Sequence, residues 1–408
     1  MYRIAVLVTV TLFVACARFP VAPAEGGPMW TELTSAHFTV WTDAEPSRVS
    51  ELIRRMELFR HVTAEVAYPA APNSGRALAV VMRNDQELIE VSGDSRAFSM
   101  QAMRPLWQPI VFLSLTGTEQ RTLVHELTHL ISFSVIHNQP RWLAEGMAAY
   151  FEGAELDAGQ QTVTLGPAPL RYGSHVQMAP VALLFYWSRT LPAGIEGPLY
   201  QTAWALFAFL INEHKAELAH YLWLIDHAGD PANGPWRVRQ QRAWERGFPS
   251  LPLDELDTRL QEWLEHGSHH ELSFYVRPTD MPINTRRLSD ADSYAVRSYL
   301  LDGQTPEQRE RGRAERSQAL ALEPTNVLAW SLRVMDGERP TVRVGQAIAA
   351  AHPDDWRAWW LAAIALENGG DPGQLDRARR QACALLARNG ALVAPPRLCP
   401  GALHASTQ

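Results

Sequence analysis

The 408-residue sequence predicts an α+β fold: a small mixed sheet at the N-terminus, then helices, joined to an all-helical, repeat-like C-terminal unit. Three observations predict it. Short apolar stretches near the N-terminus alternate or run together as strands do. Helical spacing takes over from about residue 116, and two segments of the C-terminal third repeat. With 46% hydrophobic and 20% charged residues, the chain has the composition of an ordinary globular protein with a real core.

A Pro/Gly-rich connector (20–28) comes first. Residues 37–42 (His-Phe-Thr-Val-Trp-Thr) then alternate like a strand. Residues 46–66 read as an amphipathic helix with Val49, Leu52, Ile53, Met56 and Phe59 on one stripe. The apolar runs 77–82 and 109–115 give two more strands, with a helix at about 86–91 between them. Helical periodicity then covers 118–136, 140–152, 180–190, 199–213, 215–227, 238–246 and 253–266. Residues 269–287, with Pro278 and Pro282, break that pattern. We therefore expect one domain at 29–275, a linker at 276–288 and a helical unit at 289–408 with a Pro-rich tail (Pro395, Pro396, Pro400). Within that unit Pro324 and Trp330 recur as Pro353 and Trp359, both at a spacing of 29 (353 − 324 and 359 − 330). A Pro, a polar pair and an aromatic in the next helix resemble tetratricopeptide repeats, whose period is about 34 residues.

The N-terminus reads as a targeting segment. Met1-Tyr2-Arg3 is followed by an uncharged apolar run (4–14), too short to span a bilayer as a mature helix. The run ends Leu12-Phe13-Val14-Ala15-Cys16, which resembles the lipobox of bacterial lipoproteins. That resemblance implies a signal peptide at 1–15, a linker at 16–28 and a lipid anchor on Cys16. Ala17 after the Cys implies an outer-membrane address facing the periplasm; plain secretion is the competing reading. Cys383 and Cys399 remain, 16 residues apart, as a disulfide or as two thiols. The net charge of −7 argues against nucleic acid as the main partner. Lys215 is the only Lys, a bias that fits bidentate anion recognition or merely genomic composition.

Chemistry concentrates in Leu123-Val-His-Glu-Leu-Thr-His-Leu130, which contains H-E-x-x-H. On a helix, positions i and i+4 share a face, so His125 and His129 can present imidazoles to one ion. Glu126, one step round, can reach a water on that ion. Thr116 with Glu119, or Thr118, is expected to cap this helix, and Leu123, Leu127, Leu130 and Ile131 to form its buried stripe. Shortly after comes Pro140-Arg-Trp-Leu-Ala-Glu-Gly-Met-Ala-Ala-Tyr-Phe-Glu152. Together the two segments resemble the gluzincin zinc metallopeptidases, the clan of aminopeptidase N and the thermolysin-like enzymes, over about 116–213. The resemblance implies a thermolysin-like catalytic domain and one zinc ion per chain. His125, His129 and Glu145 would be its ligands, and Glu126 the general base. It further implies that Glu152 orients a ligand His, a role that competes with an ordinary surface Glu, and that Tyr200 donates to the oxyanion. Tyr172, Tyr186, His175 and His220 remain competitors of Tyr200. Gly146, Ala148 and Ala149 are small enough for close approach to the first zinc helix.

The sequence departs from the aminopeptidase N pattern in lacking a Gly-x-Met-Glu-Asn segment, so the expected activity is peptide hydrolysis without an aminopeptidase assignment. The alternative is an envelope quality-control or scaffold lipoprotein that binds partner proteins through its C-terminal helices. Zinc proteases of outer-membrane assembly also pair H-E-x-x-H with tetratricopeptide repeats. Their third-ligand motif, E-x-x-x-D, does not match the segment here.

Overall fold

A computed structural model describes residues 22–67, 76–93, 97–103, 106, 108–116, 119–136, 138–157, 162–165, 178–187, 194–229, 234–267, 272–276, 281–301, 305–367, 369–388 and 398–399. The expected signal peptide, Cys16, the alternative cap Thr118, Tyr172, His175 and the tail prolines lie outside these residues. The chain is mixed α/β, with a small N-terminal sheet and a mostly helical remainder, as expected at that level.

In chain order it runs β1 (Thr31–Thr34), β2 (Phe38–Thr42), α1 (Pro46–Ala67), β3 (Ala77–Met82), α2 (Asp85–Ser92), β4 (Phe98–Met103), β5 (Gln108–Ser114), α3 (Gln120–Val135) and α4 (Arg141–Phe151). There follow β6 (Glu155–Asp157), β7 (Thr162–Leu165), α5 (Glu196–Glu213), α6 (Lys215–Asp226), α7 (Trp236–Gly247), α8 (Leu256–His266), β8 (Leu272–Tyr275) and β9 (Asn284–Arg287). The chain continues as α9 (Asp290–Leu300), α10 (Pro306–Leu322), α11 (Val327–Met335), α12 (Val342–Ala351), α13 (Trp356–Leu366) and α14 (Pro372–Arg388).

The main sheet has the order β4-β5-β3-β2-β1-β9, with β2, β3 and β5 parallel and the other pairs antiparallel. Both faces are covered, which is why β3 reads as an unbroken apolar run. Val40, Ala79, Val81 and Val111 join the core with α1, α3 and α4. Trp41, Leu78, Val80 and Ile110 turn the other way, onto Tyr294, Ala295 and Leu332 of the C-terminal helices. A second sheet, β6-β7-β8, lies beyond α4.

Several details differ from the sequence expectation. Residues 276–288 contain β9, which pairs along β1, and Leu288 N–H donates to Trp30 O at 2.9 Å, so this segment splices the helical unit onto the sheet. Its side chains are exposed on both sides, so no alternation betrays it; β1 supplies the pairing. Residues 181–186 form a 3₁₀ turn, and the Val181 N–H at its start, which has no partner within the turn, donates to the Asp257 carboxylate at 2.8 Å. Helix α3 starts at Gln120 with Glu119 at its N-cap and no side-chain cap bond; neither Thr116 nor Glu119 forms the expected box.

The repeat has a physical counterpart. Trp330 donates its indole N–H to Pro324 O at 2.8 Å, and Trp359 does the same to Pro353 O at 2.8 Å. The side chains of Asn326 and Asp355 cap the two following helices. Cys383 and Cys399 form a disulfide. Among the described residues no helix is long and apolar enough to cross a membrane.

Candidate metal centre

Helix α3 buries Leu123, Leu127, Leu130 and Ile131, the stripe expected from spacing. That choice of buried face leaves His125 and His129 together on another, with their Nε2 atoms 3.2 Å apart. Helix α4 crosses α3 and brings Glu145 to them: its Oε2 lies 3.5 Å from His125 Nε2 and 3.3 Å from His129 Nε2. Bonds of about 2.0–2.2 Å at tetrahedral angles would separate ligand atoms by roughly 3.3–3.6 Å. The three observed separations agree with that triangle, so His125, His129 and Glu145 can hold a metal ion.

The surroundings suit such an ion. His125 Nδ1 lies 2.9 Å from Glu152 Oε2, and Glu152 is only 4% exposed, so it is no surface carboxylate. A proton on Nδ1 shared with Glu152 leaves the Nε2 lone pair facing Glu145 and His129. The His129 ring stacks on Phe133, centroids 5.6 Å apart, which fixes its plane. Burial disfavours a charged His125, but hydrogen bonds to Glu145 and Glu152 and the charge of Glu126 outweigh it and raise its pKa to about 9. Burial likewise works against an ionised Glu145, and the two histidines overcome it, holding that carboxyl well below the usual carboxylate range. The pocket attracts positive charge. Glu126 is half-buried, close enough to act on the charge of His125.

Tyr200, near the start of α5, comes to the same place. Burial, then the charge of Glu145, pushes its phenol up, against the Arg141 guanidinium that donates a hydrogen bond to it. The phenol therefore keeps its proton and can donate. Tyr186 and His220 are elsewhere: Tyr186 lies under Arg237, and His220 stacks on Trp223 at the surface of α6. Gly146 does permit close packing, but onto α5 rather than α3. A Cβ there would stand 2.5 Å from Ala203 O, because α4 is wedged against α5 along that face.

No family model, curated protein or solved structure gives a significant match to this chain. The site therefore rests on its own geometry. One residue of that geometry escaped the sequence reading. Arg141 Nε lies 3.7 Å from Glu145 Oε1, and its guanidinium lies over the Trp187 ring at 4.8 Å. Its place four residues before Glu145, on the same helical face, was the available signal.

Proposed function

We propose that the protein is a zinc-dependent peptidase of the gluzincin type, exported to the cell envelope. The observation that carries this reading is the triangle of His125 Nε2, His129 Nε2 and Glu145 Oε2, with sides of 3.2, 3.3 and 3.5 Å. A set of two imidazoles and one carboxylate is the donor set of catalytic zinc, and it leaves a fourth position open. A zinc ion there would supply Lewis acidity, polarising a peptide carbonyl and making water a nucleophile near neutral pH.

The chain's own residues do the rest. Glu126 takes the proton from the attacking water and delivers it to the leaving amine. Tyr200 donates its phenol hydrogen bond to the oxygen that becomes negative as the carbonyl carbon turns tetrahedral. Glu152 holds His125 in the tautomer that keeps Nε2 free, and Phe133 holds the plane of His129. Burial of the cluster between α3, α4 and α5 excludes bulk water and strengthens each of these interactions.

The remaining expectations belong to the same reading. The Cys383–Cys399 disulfide supports an oxidising compartment and hence export, with Cys16 as the lipid anchor at the outer membrane. The recurrent Pro–Trp bonds of α11 and α13 support tetratricopeptide-like helices able to bind a protein partner.

Purified protein should contain about one zinc per chain. Glu126→Gln should keep that zinc and lose peptide hydrolysis by about 10²–10⁴-fold. Metal analysis together with cleavage of a peptide library checks both. A metal-free preparation that takes up no added zinc, or full activity in Glu126→Gln, would sink the proposal.

A further inference from the structure

Arg141 also lines a cavity of about 220 Å³. Its wall includes Arg141 of α4, Tyr186 and Trp187 at the 3₁₀ turn, and Trp236, Arg237 and Gln240 of α7. The volume is below the roughly 300–1,000 Å³ of cofactor and small-molecule pockets. It suits one amino-acid residue.

The wall has a definite chemistry. It carries two guanidinium groups and no carboxylate among its described residues. Each guanidinium lies over an aromatic ring, Arg141 on Trp187 at 4.8 Å and Arg237 on Tyr186 at 4.5 Å. Stacking of this kind satisfies the flat face and leaves the N–H edge for an anion. Arg141 is countered by Glu145 at 3.7 Å and Glu196 at 3.9 Å, whereas Arg237 forms no ion pair among the described residues. Two further polar atoms of the wall are buried without a hydrogen-bond partner: Trp187 Nε1 and Gln240 Oε1. Unpaired buried polar atoms occur elsewhere in the described residues too; these two share a cavity wall with Arg237, so one ligand can answer all three.

We propose that this cavity is a substrate subsite for a residue bearing a carboxylate, with Arg237 as its specificity determinant. The proposal rests on the peptidase reading. The carboxylate meets Arg237, the aromatic rings pack on the residue's stem, and the Gln240 amide pairs with the peptide group whichever way it is turned. Arg141 links this subsite to the reaction, since the same guanidinium stands beside Glu145 and the Tyr200 phenol. Two sources share the chemistry, an acidic side chain and the C-terminal carboxylate of a peptide.

Matched peptide pairs separate them in the full-length, zinc-loaded protein. One pair carries Glu or Gln at each internal position with an amidated end; the other is a neutral sequence ending in a free acid or an amide. Loss of a hydrogen-bonded charge pair corresponds to about 10- to 100-fold in kcat/KM, so one of the two pairs should differ by that much. The difference should lie in KM, collapse in Arg237→Gln and survive in part in Arg237→Lys. Equal kcat/KM within both pairs overturns the subsite and leaves the peptidase reading standing. If no peptide is cleaved, the peptidase reading fails, and calorimetric binding decides the subsite by itself. Either N-acetyl-glutamate amide should bind the wild type about 10-fold more tightly than N-acetyl-glutamine amide, or N-acetyl-glycine more tightly than N-acetyl-glycinamide, and Arg237→Gln should erase the difference. Equal affinities within both pairs overturn it.

Discussion

Two groups of buried charge lie on opposite faces of the same sheet, and they are built differently. On the C-terminal face, Arg297 is fully buried and Glu315 accepts from it through both oxygens, Nε–Oε2 and Nη2–Oε1 each at 2.7 Å. The pair is matched, fork to fork, and ties α9 to α10. On the other face, His125, His129 and Glu145 crowd their lone pairs toward one point, and His129 Nδ1 is buried with no hydrogen-bond partner. Arginine cannot shed its charge, so its partner is fixed by the needs of the fold. Histidine can give up its proton, His125 at about pH 9, so an ion can displace that proton and complete the cluster. A buried charge that is fully answered reports on stability; one that converges without being answered reports on a ligand.

Breaking the answered pair should have the largest effect on folding. Arg297→Ala leaves Glu315 buried without its main partner and should cost about 3–5 kcal/mol in urea unfolding, with or without zinc. Replacing both residues by apolar ones of similar volume, Arg297→Met with Glu315→Leu, should recover most of that loss. A loss near zero for the single variant would show that the two faces do not differ as described.

The metal face should respond in metal affinity. Glu152→Gln removes the carboxylate that orients His125 and should weaken zinc binding about 10- to 100-fold, measured by competition with a chromogenic chelator. The same variant in zinc-free protein should unfold close to the wild type. A large drop in zinc-free stability with unchanged affinity would assign Glu152 to the fold and take it out of the site.

The same contrast explains what the sequence revealed. His125, His129 and Glu145 were legible because helical geometry turns spacing of four into proximity, and the buried stripe Leu123–Leu127–Leu130 fixes which face they occupy. The repeat was legible because Pro324/Trp330 and Pro353/Trp359 act over six residues. What stayed hidden depends on partners distant along the chain. Strand β9, Asn-Thr-Arg-Arg, has no apolar face of its own and exists because β1 offers it an edge. Gly146 announced a close approach but not its neighbour, which is Ala203 of α5. Arg237 and Gln240 meet Arg141 only through the packing of α7 against the 3₁₀ turn.

The smallest expected effect is the one that tests the contrast most directly. Glu145→Gln removes a buried carboxylate, as Glu315→Gln would on the opposite face. The partners it leaves behind are imidazoles, however, which can stay neutral and of which His125 still has Glu152. In zinc-free protein near pH 10, above the raised pKa of His125, the change should therefore cost less than about 1 kcal/mol, whereas a stranded Arg297 has no such release. With zinc present the same variant should lose the stabilisation that a bound ion gives, about 2.7 kcal/mol at a hundredfold excess over Kd. Paired urea curves, with zinc and with chelator, measure both quantities on one preparation. Equal curves for the wild type and Glu145→Gln under both conditions would mean that Glu145 is neither ligand nor strut. A gap that opens only when zinc is present is the behaviour of a residue placed for the ion.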